Sequence, residues 1–136
     1  INGDEWAKRI PGSEESIYQG GFHFVDFTDI NNPVETAIYQ VPEVGSHNHW
    51  VEGDILYAGY YYGGIRVLDI SGELLGDLYA QGREIAFFEG RDPNGKIPNE
   101  TNVWGVIPYK GLIYFADHYN GLWAVKLVDE EPMGTN

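Results

Sequence analysis

The chain has 136 residues, 43% hydrophobic and 15% aromatic, a size and composition that fit one folded domain and argue against disorder. Its 8 Lys and Arg against 21 Asp and Glu leave a net charge of −13, which argues against nucleic acid or an anionic membrane as partner. With no Cys it has no disulfides, no thiolate chemistry and no Cys-ligated metal, and no apolar run approaches the roughly 18 residues of a membrane helix.

The opening Ile1-Asn2-Gly3-Asp4-Glu5 is neither an initiator Met nor a signal peptide, so the chain reads as processed or cut from something longer. Residues 1–19, with Trp6, carry no repeat and stay unplaced. From there an internal repeat organises the chain. Gly20-Gly21-Phe22-His23-Phe24-Val25-Asp26-Phe27-Thr28 returns as Gly63-Gly64-Ile65-Arg66-Val67-Leu68-Asp69-Ile70-Ser71, and again as Gly121-Leu122-Trp123-Ala124-Val125-Lys126-Leu127, where Lys126 breaks the Asp pattern. Asp54-Ile55-Leu56-Tyr57-Ala58-Gly59-Tyr60 matches Gly111-Leu112-Ile113-Tyr114-Phe115-Ala116-Asp117. Ser46-His47-Asn48-His49-Trp50-Val51 precedes the first of these as Thr101-Asn102-Val103-Trp104-Gly105-Val106 precedes the second.

Short runs rich in Val, Ile, Leu, Tyr and Phe, bounded by Gly, Asn, Asp or Pro, read as strands. The runs are apolar on both faces, so each sheet is expected to be covered on both sides. Four such strands in roughly 40–45 residues are the signature of a β-propeller blade. The expected fold is therefore all-β: four-stranded antiparallel β-propeller blades, about two and a half of them. Residues 20–43 make a partial blade with strands 22–27 and 34–41. Residues 44–82 make a full blade with strands 47–51, 55–60, 65–70 and 74–79. Residues 83–100 read as an insertion loop, 101–127 as a three-stranded blade and 128–136 as a tail. A competing helical face, Leu74, Leu75, Leu78, Tyr79, Ile85 and Ala86, is interrupted by Gly76 and Gly82.

The Gly-apolar-Arg-Val-Leu-Asp-Ile-Ser motif, preceded by an apolar-Tyr-Ala strand and a His-Asn-x-Trp strand, resembles the LVIVD-repeat β-propeller proteins. Residues 64–71 and 21–28 carry the name motif in degenerate form, and Asn31-Asn32-Pro33 resembles the turn that follows it. The resemblance covers about residues 20–127 and implies a C-terminal part of a propeller, secreted or on a bacterial cell surface, extracellular or periplasmic. It implies no particular reaction. A closed ring needs at least about four blades. The expected partner is accordingly the remainder of the propeller, another copy of the chain, or a second protein that completes the ring.

Propeller connectivity gathers the loops between blades and the turn between a blade's two middle strands on one rim, where ligand sites reside. That rim should hold Asn48, Tyr60, Tyr61, Tyr62, Asp117 and Tyr119, which are the candidate ligand-binding residues. His47 and His49, two apart on a strand, should share a side, and His118 lies one blade on. With Asp117 these imidazoles form a candidate site for a transition metal. Equally, they can donate to backbone carbonyls and fill the gap between blades. Trp50, Trp104 and Trp123 are expected to pack between blades rather than form a sugar platform. Asp92-Pro93-Asn94-Gly95 reads as a turn, not a calcium loop, and Asn99-Glu100-Thr101 as a glycosylation sequon in a host that glycosylates. No Gly-x-Ser-x-Gly elbow, phosphate-binding loop or His-Glu-x-x-His helix is present. The leading functional expectation is a non-catalytic binding scaffold, without a cofactor. The alternative is a metal-dependent oxidoreductase or hydrolase with a His-lined site on the propeller rim or in the axial channel.

Overall fold

A computed structural model describes residues 1–3, 7–9, 16–18 and 20–128. Trp6 and most of the tail lie outside the described residues. Among the described residues thirteen strands form: β1 (Asn2–Gly3), β2 (Ala7–Arg9), β3 (Ser16–Tyr18), β4 (Gly21–Asp26), β5 (Val34–Gln40), β6 (Ser46–Glu52), β7 (Ile55–Tyr60), β8 (Gly64–Asp69), β9 (Gly76–Asp77), β10 (Glu84–Phe88), β11 (Val103–Tyr109), β12 (Leu112–Asp117) and β13 (Gly121–Val125). The sheets run β1-β4-β5-β9, β6-β7-β8-β10 and β11-β12-β13, with β2 and β3 pairing as a separate hairpin. Innermost strands β1, β6 and β11 lie side by side, as blade-first strands do around a propeller axis. The fold is thus all-β and partial-propeller-like, with every pairing antiparallel except β5 with β9.

The middle strand β7 explains why these segments read as apolar on both faces. Alternate side chains point to opposite sides of a strand. Leu56, Ala58 and Tyr60 enter the core against the first sheet, joining Phe22, Phe24, Ala37 and Tyr39. Ile55 and Tyr57 pack on the other side, with Ile65, Val67, Val103, Val106, Ile113 and Phe115, against the third sheet. Each fully buried Leu contributes roughly 1.5–3 kcal/mol of burial. Two cores therefore sit between three sheets.

Strand four of the second sheet differs from expectation. It is β10, inside the stretch read as an insertion, and not residues 74–79. Those residues instead cross back to the first sheet. Gly76 and Asp77 pair in parallel with Ala37 and Ile38, and the Leu78 amide donates to the Ile38 carbonyl at 2.8 Å. Leu78 is fully buried in the core between the first two sheets. Its apolarity serves that plug, which a strand-length reading cannot distinguish from a fourth strand. A helix here is excluded: Gly76 and Gly82 take φ of +67° and +70°, outside the right-handed helical region.

The correct alignment of outer strands is Glu35-Thr36-Ala37-Ile38-Tyr39 with Glu84-Ile85-Ala86-Phe87-Phe88. In both sheets the register slips by one residue at the same place. Phe24 faces Ala37 while Val25 faces Glu35; Val67 faces Ala86 while Leu68 faces Glu84. Such a bulge re-aims the residues beside it. The Asp of the repeat closes the third strand of the first two units. Asp26 accepts from the Thr28 amide at 2.8 Å, and Asp69 from the Ser71 amide at 2.8 Å. Hydrogen bonds from Thr28 and from Ser71 hold the two carboxyls below the usual Asp range.

Candidate binding rim

Loops and turns meet on one rim between the second and third sheets. The Val103 amide donates to the Tyr61 carbonyl at 2.9 Å, and the His118 amide to the Asn102 carbonyl at 2.8 Å. Asn120 Nδ2 donates to the carbonyls of Gly90 at 2.7 Å and Glu100 at 2.8 Å, pinning the 89–102 loop onto the β12–β13 turn.

An aromatic cluster stands on this rim, with Trp104 at its centre. Two bulges build it. On β11, Val103 faces Asp117 and Gly105 faces Ala116, so Trp104 is the extra residue. On β6, Ser46 faces Tyr60 but His49 faces Ala58, which leaves one extra residue at His47-Asn48. The Trp104 ring stacks on His47 with centroids 5.2 Å apart, and meets Tyr61 at 6.2 Å and His118 at 5.3 Å edge-on. Tyr119 lies against His118 at 5.9 Å. Trp104 Nε1 donates to Asn102 Oδ1 at 2.6 Å, which fixes the indole. His47 Nδ1 lies 2.8 Å from the Trp104 carbonyl; a carbonyl only accepts, so Nδ1 carries the proton. Trp104 keeps 45% of its surface exposed, so the cluster presents an aromatic face with polar neighbours to solvent.

The expected imidazole set does not converge. The β6 bulge breaks the period of two, so His47 turns toward the third sheet and His49 toward the first, where its ring meets Phe22 edge-on at 5.1 Å. Burial there lowers the His49 pKa. His47 and His118 share Trp104 as a neighbour. Among the described residues no three His, Cys, Asp or Glu side chains group to hold a metal ion.

The other candidates divide. Asn48 is exposed, and Tyr61, Tyr62 and Tyr119 are half-buried, all within reach of a ligand at the rim. Tyr60 is fully buried and its hydroxyl donates to the Tyr39 carbonyl at 3.1 Å, so it belongs to the core. Asp117 is buried and accepts from Thr101 Oγ1 at 2.5 Å and from the amides of Asn102 at 3.2 Å, Tyr119 at 2.8 Å and Asn120 at 3.1 Å. It organises the turn rather than facing a ligand. Of the tryptophans, Trp123 packs between sheets, stacked on Phe115 at 6.0 Å, while Trp50 and Trp104 are about half-exposed. Asp92 accepts from the Asn94 amide at 2.8 Å and its carbonyl from the Gly95 amide at 3.2 Å, a turn as expected.

A second polar group has no functional motif in the sequence to mark it. Arg66, buried on β8, donates Nε to the Gly63 carbonyl at 3.0 Å and reaches Glu84 at 3.4 Å. Glu84 in turn accepts from the Tyr39 hydroxyl of the first sheet. Burial, and then this hydrogen bond to Glu84, hold the Tyr39 phenol far above its usual range. The signal was present in the outer-strand pattern: Glu35 and Glu84 occupy the same repeat position, and His23 Nδ1 lies 2.7 Å from Glu35 just as Arg66 faces Glu84.

Compared with known proteins, the chain matches no family model, no curated protein and no solved structure.

Proposed function

We infer that the chain is a non-catalytic interaction scaffold, a β-propeller segment of the LVIVD-repeat kind acting outside the cytoplasm. The observation that carries this reading is the uncovered face of the third sheet. In the second sheet, Ile55, Tyr57, Ile65 and Val67 are packed against the next sheet. On the corresponding side of the third, Leu122 is 77%, Tyr109 58% and Ile107 50% exposed. Contiguous apolar surface of that kind marks an interaction site. The partner is a further sheet, from the rest of a propeller, a second copy or another protein. The rim of Asn48, Tyr61, Tyr62, Trp104 and Tyr119 serves as the ligand surface, because the Trp104 indole is fixed by Asn102 and stacked on His47 while much of it stays exposed.

Native mass spectrometry of the purified chain tests the scaffold reading. It predicts particles heavier than one chain, or a complex with a second polypeptide. A monomer that stays single at high micromolar concentration and carries one stoichiometric metal contradicts it.

A further inference from the structure

Three repeat units share one side-chain position on their third strands: His23, Arg66 and Trp123. In the first two units that residue is a donor paired with a carboxylate on the outer strand beside it. His23 Nδ1 lies 2.7 Å from Glu35 on β5, and Arg66 Nη1 lies 3.4 Å from Glu84 on β10. In the third unit the donor is present, and among the described residues no outer strand lies beside it: β13 is the last strand of its sheet there. Trp123 Nε1 is buried and has no hydrogen-bond partner among the described residues. An unpaired buried donor loses its hydration without compensation, and native structures rarely keep one. Two residues on along β13, Val125 joins Ile65, Ala86, Phe88, Ile113 and Lys126 in lining a largely apolar cleft of about 190 Å³.

We propose that β13 docks an extended strand that presents a side-chain acceptor, Glu or a chemical equivalent, to Trp123 Nε1. This rests on the scaffold reading above and makes it specific. The incoming strand pairs antiparallel with β13, its acceptor opposite Val125, as Glu35 stands opposite Val25 and Glu84 opposite Leu68. Backbone pairing satisfies the edge, and the acceptor satisfies the indole. The occupant is thus a strand of the same pattern as β5 and β10, an acceptor followed two residues on by a small residue and four residues on by an aromatic one.

The probe is a synthetic peptide of this chain's own residues 33–41, added to the chain at a concentration where it is monomeric. Two signals are read by NMR: the Trp123 indole N–H, assigned with Trp123→Phe, and the exchange rates of the β13 amides. The expected result is slowed β13 exchange and a downfield move of the indole N–H. A Glu35→Val peptide should bind roughly 2–10-fold more weakly, the value of one hydrogen bond, and leave the indole unmoved. If both peptides protect β13 and the indole responds to neither, or equally to both, the acceptor is wrong while the open-edge reading stands. If neither peptide protects β13, both fall.

Discussion

The two cores of this molecule are built by the same strands in different ways. The one between the first and second sheets is threaded with polar bonds: Tyr39 to Glu84, Glu84 to Arg66, the Tyr60 hydroxyl to the Tyr39 carbonyl, and Ser46 Oγ to the Gly21 carbonyl at 3.3 Å. The one between the second and third is apolar, with Phe88 where Tyr39 stands and Trp123 where Arg66 stands; Phe88 and Trp123 touch at 5.7 Å. Burial area holds sheets together without regard to direction, whereas a buried polar chain is satisfied in only one arrangement. The first core accordingly carries its directional bonds inside, whereas the second supplies area and takes its directional bonds at the rim, from Val103 to Tyr61 and between His47 and the Trp104 carbonyl.

That contrast sets the order of expected effects. Phe115→Ala removes the ring at the centre of the apolar core and should cost about 3–5 kcal/mol, read from urea denaturation. Arg66→Met leaves Glu84 and Tyr39 without their cation and should cost about 2 kcal/mol, since the pair is 10% and 18% exposed. Adding Glu84→Met should recover most of that loss; if the double variant is as weak as the sum of both changes, the polar chain is not acting as a unit. Tyr39→Phe makes the first interface like the second at one position and should cost about 1 kcal/mol.

The smallest effect is a pH dependence from His49 in the first interface. Burial lowers the His49 pKa below its ordinary 6.5, so the folded chain binds fewer protons there than the unfolded one. Stability from this site is complete above pH 6.5 and falls as the pH drops below it, until the folded-state pKa is passed. His49→Phe should flatten the fall in urea midpoint between pH 7 and pH 5. The lowered carboxyls of Asp26, Asp29 and Asp69 act only near and below their ordinary 3.8 and leave that window clear.

Much of the architecture was legible because strand composition and a repeated Gly-to-Asp motif are local properties. The third strands and the two-faced burial of the second sheet follow from them; the third sheet departs from that expectation, with one face uncovered at Leu122, Tyr109 and Ile107. What escaped depends on pairing. A bulge has no residue signature of its own, so the period of two placed His47 and His49 together when the extra residue on β6 parts them. The same limit misplaced the outer strand. Leu74, Leu75 and Leu78 have strand composition, yet only the partners of Gly76 and Asp77 reveal that the segment belongs to the sheet before. Flanking a turn places Tyr60 and Asp117 on the rim by sequence alone, whereas β7 and β12 carry both inward. The recurrence of Glu-x-Ala ahead of an aromatic at residues 35–39 and 84–88 was the signal that sets the alignment right.

The central claim is that the third sheet ends on an open edge and face that another strand or sheet covers. Amide hydrogen exchange, followed across a dilution series, tests it most directly. The account predicts slow exchange in β8, held between β7 and β10, at every concentration, and exchange in β13 that is fast in dilute chain and slows as the chain assembles. Exchange in β13 as slow as in β8 in a dilute monomer would contradict it.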